Sequence, residues 1–417
     1  MRVLILSLEY SSTVGGVGTH VQELSTGLAA AGDLVTVLSG TVGQARRFDE
    51  GKKTVHLVSP DDQKPGRSIV QGILDYNCTL ARYAHKTLLN GDDPPELVHC
   101  HNWITYPAAV EIARTLKIPV ITTIHYVSHP IEQWWGQEPD PEILKQEENL
   151  FQKGNIFIAV SQSMRSLMRD FYSVPEQRVR VIYNAMDSKS FLPSSVSAEY
   201  IARLKSAVSP ANEKIVLFTG RLHPMKGIPA LLKSAEIVLE KEPNIRYLIA
   251  GEPDSKAFAH EFREQLERSP ILKEKIVLLG KLSRKRVALL YSLADVAILP
   301  SVYDPCPYAA IETMAAGVPL VASDGGGLAE LVEDGVTGLK IPVRVNKAGM
   351  RSVDPEELAE ATLRLLQDKG LAERMGKRAR QKADETFSPE VMVRATQEVY
   401  QTTIEQTTIE GARRHHA

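Results

Sequence analysis

Two carboxylates, Asp304 and Glu312, stand eight positions apart in the run Pro300-Ser-Val-Tyr-Asp-Pro-Cys-Pro-Tyr-Ala-Ala-Ile-Glu-Thr-Met-Ala-Ala-Gly317. Paired carboxylates can act as acid and base on either side of a glycosidic bond. Two acids near a helix start can also simply complement the helix dipole. The preceding Val296-Ala-Ile-Leu299 has the pattern of a buried parallel strand, and Ala309 to Ala316 that of a helix start. Both carboxylates would then stand at the carboxyl end of a strand, the edge at which open α/β sheets bind ligands.

Groups suited to phosphate accompany the pair. Gly220-Arg221-Leu-His-Pro-Met-Lys226-Gly227 follows the apolar run Ile215–Phe218. Arg and Lys five apart beyond a strand end can hold one diphosphate, the first as a fork and the second as a point charge. They could equally be solvated surface cations. Earlier, Gly15-Gly16-Val-Gly18 follows the first strand and leads into the helical pattern Val21 to Ala31. Glycines there admit a phosphate to backbone amides at a helix start, or merely make the bend. The spacing is not the dinucleotide fingerprint GxGxxG, which weakens a hydride-transfer reading. A third stretch, Gly325-Gly326-Gly327, could present amides to an anion, make a tight turn, or do both.

His99 and His101 share one face of a strand, a spacing able to ligate a metal, but no third ligand lies nearby in sequence. Hydrogen-bonded histidines are the preferred reading, with no metal and no cofactor expected. Trp134-Trp135 could form an aromatic platform for a sugar ring or could pack internally.

The elements that must position these residues alternate along the chain. Apolar runs at Val3–Leu6, Val35–Leu38, Val55–Val58, Leu97–Cys100, Val120–Ile124, Ile156–Val160 and Val179–Ile182 are separated mostly by helical patterns. A second series runs through Ile215–Phe218, Arg246–Ala250, Ile276–Leu279, Val296–Leu299, Leu320–Ala322 and Gly338–Ile341. Alternation of this kind predicts two doubly wound α/β halves, joined through connecting chain at 188–197 and enclosing a cleft. The 417-residue length agrees with two domains. A segment from Pro389 to Thr403 shows no clean helical stripe, so its packing partner is not legible locally.

Forty-nine basic and 51 acidic residues give a net charge near −2, which offers no general attraction for nucleic acid. Peripheral membrane contact would need a local basic surface. Three cysteines without metal-ligand spacing fit a reducing compartment. The amino terminus enters a strand without a signal-peptide pattern, and no long apolar run predicts a membrane span. A cytoplasmic protein is expected.

Gly15-Gly16, Gly220-Arg221…Lys226-Gly227, Gly280, Asp304-x7-Glu312, Ala316-Gly-Val-Pro319 and Gly325-Gly-Gly…Glu330 together resemble the retaining glycosyltransferases of family 4, the group 1 or glycogen-synthase-like enzymes. His99-Cys-His101-Asn102-Trp103, Thr122-Thr-Ile-His125, Ala159-Val-Ser161 and Asn184-Ala-Met-Asp187 extend the resemblance through the first half. The resemblance implies the GT-B fold, two facing Rossmann-like domains with an interdomain cleft. Residues 1–190 would form the acceptor domain and 191–388 the donor domain, with 389–417 a helix and tail returning to the first. It further implies that Arg221 and Lys226 hold the donor diphosphate with help from Gly15, Gly16 and Gly220. Glu312 would hold the ribose, Asp304 would lie by the sugar hydroxyls, and His125 near the reacting centre. His101, Asn102, Trp103 and Tyr126 would lie near the sugar or acceptor.

The implied reaction is metal-independent transfer of a hexosyl unit, with retention, from a nucleotide diphosphate sugar to a hydroxyl acceptor. UDP-glucose or UDP-N-acetylglucosamine is the expected donor, and the acceptor type stays open. A nucleotide-sugar epimerase on the same fold and a noncatalytic sugar-nucleotide-binding protein are the alternatives. Three positions depart from the family pattern: Asp304 replaces the usual Glu and is followed by Pro-Cys-Pro307, Asn102 replaces Asp, and Ala185 replaces Gly. Pro307 lacks a backbone donor that a family member could offer to its ligand.

Overall fold

The computed structural model describes residues 1–10, 15–41, 43–60, 66–88, 93–191 and 197–415. Chain contacts divide it into two units. The first comprises Met1–Pro130, Glu138–Ala185 and Pro389–Ala417, and the second Ile131–Gln137 and Met186–Ser388. The division thus falls after Ala185 rather than at 190, and the segment carrying Trp134 and Trp135 is grouped with the second unit. Of the expected connecting chain at 188–197, Ser188–Phe191 is a short helix and 192–196 lie outside the described residues.

The first unit is built on β1 (Arg2–Ser7), β2 (Leu34–Gly40), β3 (Arg46–Glu50), β4 (Lys53–Val58), β5 (Leu97–His101), β6 (Val120–Ile124), β7 (Ile156–Ala159) and β8 (Val179–Val181). Their order is β3-β4-β2-β1-β5-β6-β7-β8, with only the β3–β4 pair antiparallel. Strands β1, β4 and β5 are buried along nearly their whole length, as expected where helices cover both faces of a parallel sheet. Strand β3, Arg-Arg-Phe-Asp-Glu, escapes sequence pattern because it is an exposed, charged edge paired on one side.

The helix Pro389–His415 packs with this unit: Met392, Val393, Val399 and Tyr400 join the core of Val3, Ile5, Val21, Leu24 and Leu28. Its buried stripe is regular but contains Thr396 and Thr403. Their hydroxyls donate to the carbonyls of Met392 (2.8 Å) and Val399 (2.7 Å), so two polar residues sit on the core face at little cost. This is why no apolar periodicity marks the helix in sequence.

The second unit contains β9 (Lys214–Thr219), β10 (Ile245–Ala250), β11 (Ile276–Gly280), β12 (Val296–Leu299), β13 (Leu320–Ser323) and β14 (Leu339–Ile341). All pairs are parallel, in the order β11-β10-β9-β12-β13-β14. A hairpin of β15 (Val343–Val345) and β16 (Arg351–Val353) follows and was not expected from sequence. In both units the chain winds outward from a central strand and then reverses. The reversal lies between β1 and β5 in the first and between β9 and β12 in the second. Loops leaving those neighbouring strands diverge and create a ligand crevice at their carboxyl ends.

Candidate active site

At the switch point of the second unit, the loop after β9 supplies Gly220, Arg221 and Lys226. Arg221 is exposed and makes no salt bridge among the described residues. His223 accepts the Met225 backbone N–H at Nδ1 (3.0 Å), which leaves Nε2–H to face Asp254 Oδ2 at 3.1 Å. Burial lowers the His223 pKa, with Asp254 opposing and Arg221 and Lys226 adding to the effect. The fixed ring starts the turn Pro224–Lys226.

Lys226 Nζ donates to Asp304 Oδ2, joining the loop after β9 to the loop after β12. The Val302 N–H reinforces this by donating to Met225 O at 2.8 Å. Gly227 has φ 71°, and a Cβ there would stand 1.9 Å from the Pro300 carbonyl oxygen. Only glycine satisfies both conditions. The glycine run after β13 makes a comparable approach: at Gly326 a Cβ would lie 2.6 Å from the Tyr303 ring, and Asp304 N–H donates to Gly325 O at 3.2 Å. Close packing therefore accounts for Gly325 and Gly326.

Glu312 lies within the helix Tyr308–Ala316 and is buried. Its Oε2 accepts from Tyr291 Oη at 3.4 Å, and its Oε1 is 3.9 Å from Arg284 Nε. Tyr291 also pairs with Thr219 Oγ1 at 2.7 Å, at the end of β9. Burial, then the nearby Glu312 carboxylate, pushes the Tyr291 pKa well up, so its hydroxyl stays protonated as a donor. Pro307 begins this helix, its carbonyl accepting from Ala310 at 3.1 Å. Trp134 packs 5.1 Å from the Tyr303 ring, with the Arg351 guanidinium 3.3 Å from the centre of its own ring, and Trp135 meets His223 edge-on at 4.5 Å. The tryptophans thus pack beside the residues that neighbour Asp304 and Lys226. Neither Tyr291 nor Arg351 carried a local sequence signal.

The switch point of the first unit holds the histidines. A helix begins at Gly16 with Gly15 preceding it, and Gly15 O accepts from both the N–H and the hydroxyl of Thr19 at 3.0 Å. Residues 11–14 of that glycine loop lie outside the described residues. A Cβ at Gly15 would come within 3.0 Å of the Glu9 carboxylate, so one anionic group already stands by this helix start.

From β5, His99 is fully engaged, by Tyr400 Oη at Nδ1 (2.6 Å) and Thr123 Oγ1 at Nε2 (2.7 Å). It is a core histidine. His101 Nδ1 and His125 Nε2 lie 3.0 Å apart, within hydrogen-bond distance, the donor being set by the ring tautomers. Asn102 has φ 55°, and its Oδ1 accepts the His125 backbone N–H at 2.7 Å. An Asn keeps the acceptor oxygen that this bond requires, whatever the charge lost relative to Asp. Trp103 is buried and opens the turn Trp103–Thr105, while Tyr126 is half-buried just past His125.

Sequence spacing missed His20, which lies on the helix Gly16–Ala30 and places its ring 4.7 Å from His125 and 5.4 Å from His101. Its Nδ1 pairs with Asn184 Oδ1 at 3.0 Å. Burial lowers the pKa of His20 to about 4. Burial and the neighbouring rings hold His101 and His125 well below the ordinary imidazole value. All three are neutral near pH 7.

Two doubly wound units, one with cations and carboxylates at its switch point and the other with a buried histidine cluster, define a Rossmann-like architecture. The family profile described as glycosyl transferases group 1 matches residues 202–382, and that described as glycosyltransferase family 4 matches 14–190. The chain is 28% identical to an uncharacterized glycosyltransferase of Methanocaldococcus jannaschii over 97% of its length and 99% of that protein's. It is 28% identical to a glycogen synthase of Mycobacterium tuberculosis, covering 96% of this chain and 94% of that one. Among solved structures, sucrose-phosphate synthase from Thermosynechococcus elongatus superposes with a TM-score of 0.80 at 23% identity, over 97% and 99% of the two chains. Anabaena HepE in complex with UDP and glucose gives 0.74 at 19% identity, over 96% and 100%. The protein belongs to the group 1 glycosyltransferases and has the GT-B fold. No helix among the described residues is long and apolar enough to cross a membrane.

Proposed function

We propose that this glycosyltransferase moves a hexosyl unit from a nucleotide diphosphate sugar to a hydroxyl acceptor with retention of configuration and without a catalytic metal. UDP-glucose or UDP-N-acetylglucosamine is the proposed donor. The observation that carries the reading is the link between Lys226 and Asp304 across the two loops of one switch point, with Arg221 exposed beside it and Glu312 held by Tyr291.

Arg221 and Lys226 would stabilise the negative charge that gathers on the departing nucleotide diphosphate, with Gly15, Gly16 and Gly220 letting backbone approach it. Glu312, an acceptor-only group when ionised, would take hydrogen bonds from ribose hydroxyls, and Asp304 from the sugar. Neutral His125 would stand by the reacting sugar, and His101, Asn102, Trp103 and Tyr126 by the sugar or acceptor. Asp304 is engaged by Lys226, which suits charge stabilisation and disfavours a free acid–base pair of the glycosidase kind.

A panel of nucleotide sugars with mixed acceptors tests this. Acceptor-dependent nucleotide release with a retained anomer is expected; isomerised donor without acceptor would mark an epimerase, and binding without turnover a noncatalytic protein. Arg221→Ala and Lys226→Ala should each lower turnover at least tenfold, and unchanged donor affinity and turnover in both would overturn the diphosphate assignment.

A further inference from the structure

We infer that His20, His101 and His125 form a binding site for a borderline-soft divalent cation of the zinc class. One ligand nitrogen from each residue lies within 4.8 Å of the others, and all three side chains are buried. His101 Nδ1 and His125 Nε2, 3.0 Å apart, are already near the spacing of about 3.3 Å expected for two nitrogens bound tetrahedrally to one zinc. A cation would take the lone pairs of both nitrogens once the ring that donates this hydrogen bond shifts to the tautomer with its proton on the other ring nitrogen.

The third ring is prepared for the same task. Asn184 Oδ1 accepts at His20 Nδ1, so that nitrogen carries the proton and Nε2 carries the lone pair. An outer hydrogen bond that fixes the tautomer and aims the other nitrogen is the usual support of a metal-binding imidazole. His20 Nε2 and His101 Nε2 are buried without a hydrogen-bond partner. Buried polar atoms are nearly always paired, so two orphans in one cluster call for an explanation, and cation binding supplies one for His20. By contrast, His99 has both nitrogens satisfied and stays outside the set.

Three imidazoles and no carboxylate select zinc, copper or nickel over magnesium and calcium, which prefer oxygen. Three protein ligands also leave a fourth tetrahedral position for water or a small anion. Binding here stands apart from the proposed transfer reaction. Its consequence rests on that reading: a cation on His101 and His125 would occupy the sugar-proximal residues and inhibit transfer rather than assist it.

The test is zinc titration of chelator-treated full-length protein against a chromophoric competitor at pH 7.5. His415→Ala and His416→Ala are introduced first to remove ligands near the carboxyl terminus. One equivalent should bind with a Kd in the micromolar range or tighter, and cobalt(II) should give an intense visible band typical of tetrahedral coordination. His20→Gln should weaken zinc at least 30-fold and abolish the cobalt band, Asn184→Ala should weaken zinc about 10–100-fold, and the exposed His260→Gln should change neither. Absence of stoichiometric zinc in the parent, a cobalt spectrum of octahedral intensity, or binding retained in a folded His20→Gln protein would each overturn the site. The parent's cobalt spectrum decides the matter even where a variant fails to fold.

Discussion

Replacing Gly227 with alanine tests whether a backbone contact holds the cation loop in place. Gly227 combines φ 71° with a Cβ position 1.9 Å from Pro300 O, whereas ordinary contact begins at 3.4 Å. The left-handed backbone alone costs a non-glycine residue about 1–2 kcal/mol. Relieving the contact requires about 1.5 Å of movement between two backbone segments, and overpacking of this kind adds about 1–3 kcal/mol. Gly280 is the matched control, since its φ is 63° but nothing lies within 4 Å of its Cβ position. At about 2–4 °C per kcal/mol for a unit of this size, Gly280→Ala should lower Tm by about 4 °C and Gly227→Ala by about 10 °C. The assay is thermal unfolding of the full chain followed by circular dichroism. Because the movement separates the loops joined by Lys226 and Asp304, Gly227→Ala should also weaken donor binding in isothermal titration. Equal Tm losses in the two variants, with unaltered donor affinity in Gly227→Ala, would refute the reasoning.

Two further outcomes follow from groups described by the same structure. Tyr291→Phe strands the buried Thr219 hydroxyl and removes one donor from Glu312, so urea melts should show a loss of about 1–3 kcal/mol and kinetics a higher donor KM. Glu213 is buried, and Arg246 at 2.7 Å, with help from Lys275 and Ser209, lowers its carboxyl pKa from 4.5 to about 2. A depressed carboxylate pKa stabilises the fold above the unfolded value; that contribution is lost as pH falls from about 4.5 towards 2, and is worth at most about 3 kcal/mol. Acid unfolding monitored by circular dichroism should therefore be less steep over that window in Glu213→Gln, which is already less stable at pH 7.

The strands of both sheets were legible because central parallel strands are buried and rich in apolar and β-branched residues, as in Val120–Ile124 and Val296–Leu299. Charged or short pieces that pair on one edge, such as Arg46–Glu50 and the hairpin from Val343, carry no such mark. Candidate site residues next to strand ends, among them Arg221, Lys226, Asp304 and His101, could be located from the strand pattern, and His125 from the family resemblance. Tyr291 and His20 could not, because each reaches its partners from the flank of a helix that packs for other reasons. The carboxyl-terminal helix was hidden for a third reason, the threonines that satisfy their own hydroxyls within its buried stripe.

That helix has a temporal consequence. His99 meets Tyr400 across 301 positions of chain, and Asp33, which binds the Met1 amino group at 2.7 Å, waits for Gln397. At about 5–20 residues per second, synthesis of the intervening chain takes about 15–60 s. Through that interval the nascent first sheet lacks the surface supplied by Met392, Val393, Val399 and Tyr400. An element made after the whole second unit is therefore the one that completes the earlier sheet, and a ribosome stalled anywhere in the second unit would leave that sheet with an open apolar flank.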